Sequence, residues 1–270
     1  MFNLKKIFIP VILFCLAHSV YASMVTVSEI NNAGLDTWIY GDMRDGGTAE
    51  IVSLSGLGGN LENNSPLGND ALKLTTGLAN NDKAEVAIAN DFGQVSDIFN
   101  EQLSFSYDYY RSNAQGANAF AAPSLKLGFL NTNCQQGDDC FFQLIYEPYL
   151  DLTLIDSLWT TISIDLDFGK FWNTGGFGLA SGGGGCPCLT LEDTELAANV
   201  NFDSASLVNI ALGLGTYNQG VVGYVDNVNI NVGSAYSRTF DFENTTVPEP
   251  ASIAIFALAL MGLVSRNLKK

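Results

Sequence analysis

Positive charge is scarce in this sequence and histidine nearly absent. Its 270 residues include 12 Lys and Arg against 28 Asp and Glu, with a single histidine, His18. Five of the twelve cations, Lys5, Lys6, Arg266, Lys269 and Lys270, crowd the two ends. From Ser23 to Pro250 seven cations meet all 28 carboxylates, a formal charge of −21. Such a field repels phosphate backbones and anionic lipid, which argues against nucleic-acid binding and polybasic membrane attachment. His18 lies in a segment read below as a removable leader. A body without histidine has no Ser-His-Asp or Cys-His dyad and no imidazole metal ligand, which excludes much hydrolase and zinc chemistry. Also missing from the body are an internal repeat, a long linker, and any dozen-residue window with apolar side chains at i, i+3, i+4 and i+7.

The two ends read as addresses. Lys5 and Lys6 precede an apolar run from Ile7 to Ala17, broken only by Pro10, and Val20-Tyr-Ala22 supplies side chains a signal peptidase accepts. Residues 1–22 are therefore expected to be a signal peptide cut after Ala22. At the other end Val247-Pro-Glu-Pro-Ala-Ser precedes the apolar Ile253–Val264, and Arg266-Asn-Leu-Lys-Lys270 closes the chain. A helix from Ala251 to Val264 is about 21 Å long at 1.5 Å per residue, short for a permanent anchor. The basic tail places the C-terminus in the cytoplasm and what precedes it outside. Prolines on both sides of Glu249 keep that stretch extended and open to a processing enzyme.

These three parts over residues 247–270 resemble the PEP-CTERM sorting signal. In that family an exosortase acts on the signal, in Gram-negative bacteria that make exopolysaccharide. The resemblance implies that Pro248, Glu249 and Pro250 are recognition residues for another enzyme. It also implies exosortase as a partner, transient residence in the inner membrane, and a cell-surface or extracellular destination, while the N-terminal leader implies signal peptidase as a further partner.

Residues 23–246 are expected to form one all-β domain, a β-sandwich or jelly roll. Leu103–Tyr109 and Ile162–Phe168 alternate apolar and polar side chains, the period of a half-buried strand. Further strands are expected at 124–130, 141–146, 150–155, 207–214, 221–232 and 238–242, separated by Asn, Asp and Gly clusters that mark hairpins. One short helix is expected near Thr190–Ala198. Asn69–Gly77, Asp82–Val86 and Gly223–Ile230 are similar to segments of PEP-CTERM ectodomains, and the last also to closing strands of carbohydrate-binding-module jelly rolls. That resemblance implies a lectin-like sandwich without assigning a glycan site.

Once Cys15 leaves with the leader, Cys134, Cys140, Cys186 and Cys188 remain, an even number in an exported domain, which favours two disulfides. Three connectivities are possible; the local pairs Cys134–Cys140 and Cys186–Cys188 are preferred over crossed ones. Five and one residues intervene within these pairs, which does not suit a four-cysteine zinc site. Seven glycines in the 13 residues Asn173–Gly185 have no Gly-Lys-Ser/Thr after them and read as a mobile surface loop rather than a phosphate cradle.

Asp165 and Asp167 invite comparison with a glycosidase pair. They alternate with Ile162, Ile164, Leu166 and Phe168, which puts them on a solvated sheet face instead. The apolar phase slips near Asp226-Asn227, so either a bulge sits there or Asp226 points inward. An inward carboxylate needs backbone N–H groups, a cation, or a structural Ca²⁺ to which Asp241 and Glu243 could add oxygens. Among the aromatic residues, Phe105, Tyr107 and Tyr109 read as core, whereas Tyr110 and Trp172 are candidates for an exposed sugar-stacking surface. No other cofactor is expected.

The expected function is that of a non-enzymatic surface or matrix protein associated with exopolysaccharide. The alternatives are a carbohydrate-binding module for the producer's own polysaccharide, and a carboxylate-based glycan hydrolase or lyase.

Overall fold

The computed structural model describes residues 22–30, 34–112, 118–134, 140–182, 186 and 188–244. The leader before Ala22 and the sorting segment with Pro248, Glu249 and Pro250 lie outside the described residues.

Thirteen strands are described: β1 (Ser23–Val27), β2 (Ile39–Tyr40), β3 (Thr48–Ser53), β4 (Asp70–Thr75), β5 (Ala84–Ala89), β6 (Leu103–Arg111), β7 (Ser124–Leu130), β8 (Phe141–Tyr146), β9 (Trp159–Asp165), β10 (Phe171–Asn173), β11 (Ser206–Leu214), β12 (Val222–Val232) and β13 (Tyr236–Phe242). Three short helices join them, α1 (Gly59–Asn63), α2 (Val95–Ile98) and α3 (Leu191–Ala197). Thr190 caps α3 as its hydroxyl accepts the Asp193 N–H. The strands form two sheets packed face to face, the sandwich expected from the alternation. One runs β1-β13-β12-β4-β3, with β6 and β9 on the other flank of β12; the second runs β10-β8-β7-β11-β5-β2.

The core lies between the inner faces. Phe105, Tyr107 and Tyr109 enter it from β6, Leu125, Leu127 and Phe129 from β7, and Ile210, Leu212 and Leu214 from β11. Its densest part is aromatic: Phe142 lies 5.1 Å from Phe177, 5.2 Å from Phe202 and 5.7 Å from Phe129, ring centre to ring centre. The contacts with Phe177 and Phe202 are edge to face, an arrangement that adds to the area they bury.

Phe177 overturns one expectation. The glycine-rich segment, as far as it is described, is not a loose surface loop, because Phe177 is buried in that aromatic cluster. The left-handed backbone of Phe177 (φ 51°) turns its ring inward, and its carbonyl accepts the Asn199 N–H at 2.8 Å. Two further corrections concern strands. Residues 150–155 are not one: Pro148–Leu150 is a 3-10 turn, and Leu152 and Ile155 are exposed in the loop after it. The strand over Ile162–Phe168 ends at Asp165, whose carboxylate accepts the Asp167 and Phe168 N–H groups and turns the chain, leaving Phe168 exposed.

The local cysteine pairing is the one present, Cys134 with Cys140 and Cys186 with Cys188, at Cα separations of 5.7 and 5.0 Å. The second pair borders Leu189, which exchanges backbone hydrogen bonds with Phe171 of β10.

Truncating Phe177 to Ala should lower stability by roughly 3–5 kcal/mol, the usual cost of removing a buried ring. Urea denaturation checks this; a loss under about 1 kcal/mol would mean the segment does not pack as described.

Candidate functional site

The outer face of the six-stranded sheet is floored by small residues. Trp172 of β10 stands beside Ile145 of β8, which faces Lys126 of β7, then Ala211 of β11 and Ala87 of β5. Gly213 of β11 lies between Ser124 and Glu85. A Cβ on Gly213 would come within 2.6 Å of the Ala84 carbonyl, so only glycine fits this close approach.

Charged side chains lie over that floor. Lys126 and Glu85, each only 5% exposed, meet at 2.5 Å. Lys83 reaches Glu85 at 3.0 Å and Asp42 at 2.8 Å, and Arg44 grips Asp42 through Nε and Nη2 at 3.0 and 2.6 Å. The result is a chain of alternating sign, Arg44–Asp42–Lys83–Glu85–Lys126. Burial would raise the Glu85 carboxyl, but Lys126 and Lys83 outweigh it and hold the group below its ordinary value. The Arg44 hydrogen bond, with Lys83 behind it, holds Asp42 lower still against the opposing effect of burial. Burial lowers the Lys126 ammonium, opposed by Glu85.

Above this floor, at the end of the sheet, opens a cleft in two connected parts. The polar part, of about 250 Å³, lies over Lys83, Lys126 and Gln143; the wider part, of about 610 Å³, is walled by Phe120, Tyr149, Tyr217 and Asn118. Trp172, Glu147 and Thr216 line both parts and form the threshold between them. The Trp172 Nε1–H donates to Glu147 Oε2 at 3.1 Å, which fixes the indole within the cleft. Burial and the Glu147 carboxylate push the Tyr149 phenol up. Phe120 and Tyr149 pack edge to face at 5.8 Å, and Phe120 and Tyr217 are 66% and 67% exposed.

Trp172 is therefore a cleft residue, and Tyr110 is not. Tyr110 is 8% exposed and packs against Trp159 at 5.7 Å and Tyr224 at 6.0 Å. The segment carrying α1 covers this cluster: Leu61 is buried in it and its carbonyl accepts the Trp159 Nε1–H at 3.1 Å. Strand alternation alone does not show what a distant loop covers. Phe120, Tyr149, Tyr217 and Glu147 did not stand out in the sequence because they sit on loops around residues 118, 148 and 217, which only the topology brings together. Lys126 did leave a trace, as a lone cation within the apolar Leu125–Leu130 of a body holding seven.

Of the two branches of the expectation the bulge is the one present: Tyr224 lies in the outer cluster with Tyr110 and Leu61, and Val228 lies in the core, so the two share no inward face with Asp226. The pairing of β12 with β6 shifts register between Asp226 and Asn229, with Asn227 left-handed (φ 50°), and Asp226 is nevertheless fully buried. Its Oδ2 accepts the Leu67 N–H at 3.1 Å and its Oδ1 the Phe242 N–H at 3.2 Å. Glu243 is drawn away to the Asn69 N–H at 2.6 Å. Among the described residues no three His, Cys, Asp or Glu side chains are grouped to hold a metal ion. Backbone N–H groups of Leu67 and Phe242 thus meet the Asp226 carboxylate, whereas Asp241 Oδ1 is buried without a hydrogen-bond partner. Asp165 and Asp167 are exposed as expected, but they do not share a strand face: Asp165 ends β9 and Asp167 lies in the turn after it.

Burial pushes Asp226 up to about 7 from 3.8, with Asp241 adding to the rise and its backbone donors opposing it. The folded protein then binds a proton that the unfolded chain has released, so this group makes stability fall as pH rises from about 4 to 7. The change is at most roughly 4 kcal/mol. Melting followed from pH 4 to 8 should show that decline, and Asp226→Asn should flatten it. A flat wild-type profile would contradict this assignment, and a melting rise with millimolar calcium that Asp226→Asn abolishes would make the carboxylate a cation ligand.

No curated protein matches this sequence. Among solved structures the chain is similar to a family 11 carbohydrate-binding module from Clostridium thermocellum in complex with a β-1,3-1,4-mixed-linked tetrasaccharide. Identity is 14% over 75% of this chain and 92% of that one, with a TM-score of 0.42. It is also similar to TmCBM61 in complex with β-1,4-galactotriose, at 9% identity over 72% and 88% of the two chains and a TM-score of 0.34. A conserved carbohydrate esterase from Shiga toxin-encoding bacteriophage phi24B is 14% identical over 73% and 90%, with a TM-score of 0.38. Residues 246–270 match the PEP-CTERM protein-sorting motif, so this β-sandwich carries at its C-terminus the signal of an exported, membrane-sorted protein.

Proposed function

We propose that the exported body is a non-catalytic polysaccharide-binding protein of the cell surface or extracellular matrix. Its ligand would be the producer's own exopolysaccharide, held in the cleft of the six-stranded sheet. The observation that carries this reading is Trp172, fixed by Glu147 at the threshold between an aromatic mouth and a polar floor. Sugar rings offer apolar faces to aromatic side chains and hydroxyl edges to fixed polar groups, and this cleft supplies both. The floor charges compensate one another, so they orient hydrogen bonds without presenting a bare charge.

The same floor supports the non-catalytic reading over glycoside hydrolysis by Asp42 and Glu85. Hydrolysis needs one carboxyl kept protonated opposite a second carboxylate. Asp42 and Glu85 are instead held ionised by Arg44, Lys83 and Lys126.

Affinity electrophoresis through a gel containing the producer's exopolysaccharide tests the binding. The mature protein should be retarded, and Trp172→Ala should weaken binding about tenfold or more, as loss of a central aromatic anchor does. Equal mobility with and without polysaccharide would overturn the proposal. The sorting route is tested separately by intact mass of the protein recovered from medium and envelope. Wild type should begin near Ser23 and end near residues 247–250. The double change Pro248→Ala and Glu249→Ala should leave residues 251–270 attached; an unchanged endpoint would refute processing at this motif.

A further inference from the structure

The three aromatic rings at the mouth of the cleft come from three separate loops, and one buried guanidinium holds the first, meets the segment after the second, and is linked to the third through Asn118. Arg111 ends β6, in the opposite sheet, and its side chain is only 7% exposed. Its Nη1 donates to the Ala119 carbonyl at 2.5 Å and its Nη2 to the Asn118 carbonyl at 3.2 Å, beside Phe120. Its Nε makes an ion contact with Asp156 Oδ1 at 3.0 Å, and its backbone carbonyl accepts the Ser157 N–H at 2.8 Å, in the loop that follows Tyr149. Asn118 carries the connection onward: its Nδ2 reaches the Tyr217 carbonyl at 3.3 Å and Asn218 Oδ1 at 3.1 Å. The Asn118 Oδ1 in turn accepts the Phe120 N–H at 3.0 Å.

We infer that Arg111 is the positioning residue of the binding cleft, fixing the spacing of Phe120, Tyr149 and Tyr217 through the Ala119–Asn118 carbonyls, Asp156 and the Asn118 side chain. This rests on the cleft being the polysaccharide site. Arg111 lines neither part of the cleft, so it acts only through the loops. Arginine suits the task because a planar fork meets two carbonyls and a carboxylate at once, which the single ammonium of lysine cannot do. It also supplies a charge that Asp156 partners, so a buried cation is not left alone. Loops otherwise lose orientational order easily, and order in the free protein is what lets a preformed mouth bind without further ordering cost.

The test has one readout that needs no glycan and one that does. In Arg111→Lys, amide hydrogen exchange at residues 118–121, 150–157 and 216–218 should quicken about tenfold or more while β6, β7 and β12 keep wild-type protection. Asn118→Ala, which leaves Arg111 in place, should quicken 216–218 while 150–157 stays protected. In binding to the exopolysaccharide, Arg111→Lys should raise Kd about tenfold. A double mutant with Phe120→Ala should be little weaker than Phe120→Ala alone, because both changes disable the same mouth. Exchange confined to one loop or unchanged would overturn the inference, as would additive losses in the double mutant. Should wild type bind no polysaccharide, the proposed function falls, and the exchange pattern still decides whether Arg111 holds the three loops.

Discussion

Strand β12 serves three neighbours, and much of the sandwich follows from how it does so. Its first half pairs with β4, its second half pairs with β13 on the same flank, and β6 follows it along the other. β4 and β13 part where β12 changes partner, and the backbone N–H groups of Leu67 and Phe242 are left facing the gap. A carboxylate fills it: Asp226 accepts both, and the register shift between Asp226 and Asn229 brings Val228, Ile230 and Val232 to the core that Val225 also enters. A one-residue slip would otherwise have moved that whole apolar set to the wrong face. The price is a buried acid, which is why its proton is held to about 7.

The second sheet solves a different problem. Its outer face is shallow and lined with Ala and Gly, so charged groups from neighbouring strands lie across it rather than standing in solvent. Desolvation penalises each of them, and alternation of sign is what makes the arrangement tolerable. Removing Lys126 would leave Glu85 with only Lys83 and Asp42 with an unchanged pair, so the network is graded rather than all-or-none. A body with a net charge of −21 thereby keeps three of its seven cations in one place, where they neutralise the floor of the cleft.

Much of this was legible in the sequence, and the failures have physical causes. Period-two alternation located β6, β7, β8 and β11, because their inner faces are apolar and their flanking turns rich in Asn, Asp and Gly. β4 and β5 were harder, since both faces of each are largely buried and Lys73 and Glu85 interrupt the pattern. The apolar positions Leu152 and Ile155 misled in the opposite direction, for they are exposed in a loop. At the site, Trp172 was recoverable because it stands beside the glycine-rich segment. Tyr110 failed because α1 covers it, and Phe120, Tyr149 and Tyr217 could not be grouped without the topology. The C-terminal signal was readable in full, since a linear motif beside an apolar run depends on no tertiary contact.

The central claim is that the cleft of the six-stranded sheet is where this exported protein meets polysaccharide. Backbone amide chemical shifts of the isotope-labelled mature protein, recorded as the producer's exopolysaccharide is added, test it most directly. The account predicts shifts concentrated at 118–120, 147–149, 172–174 and 215–218, with the Trp172 indole N–H among the largest. Shifts centred on the seven-stranded sheet, or none at a saturating amount of polysaccharide, would contradict it.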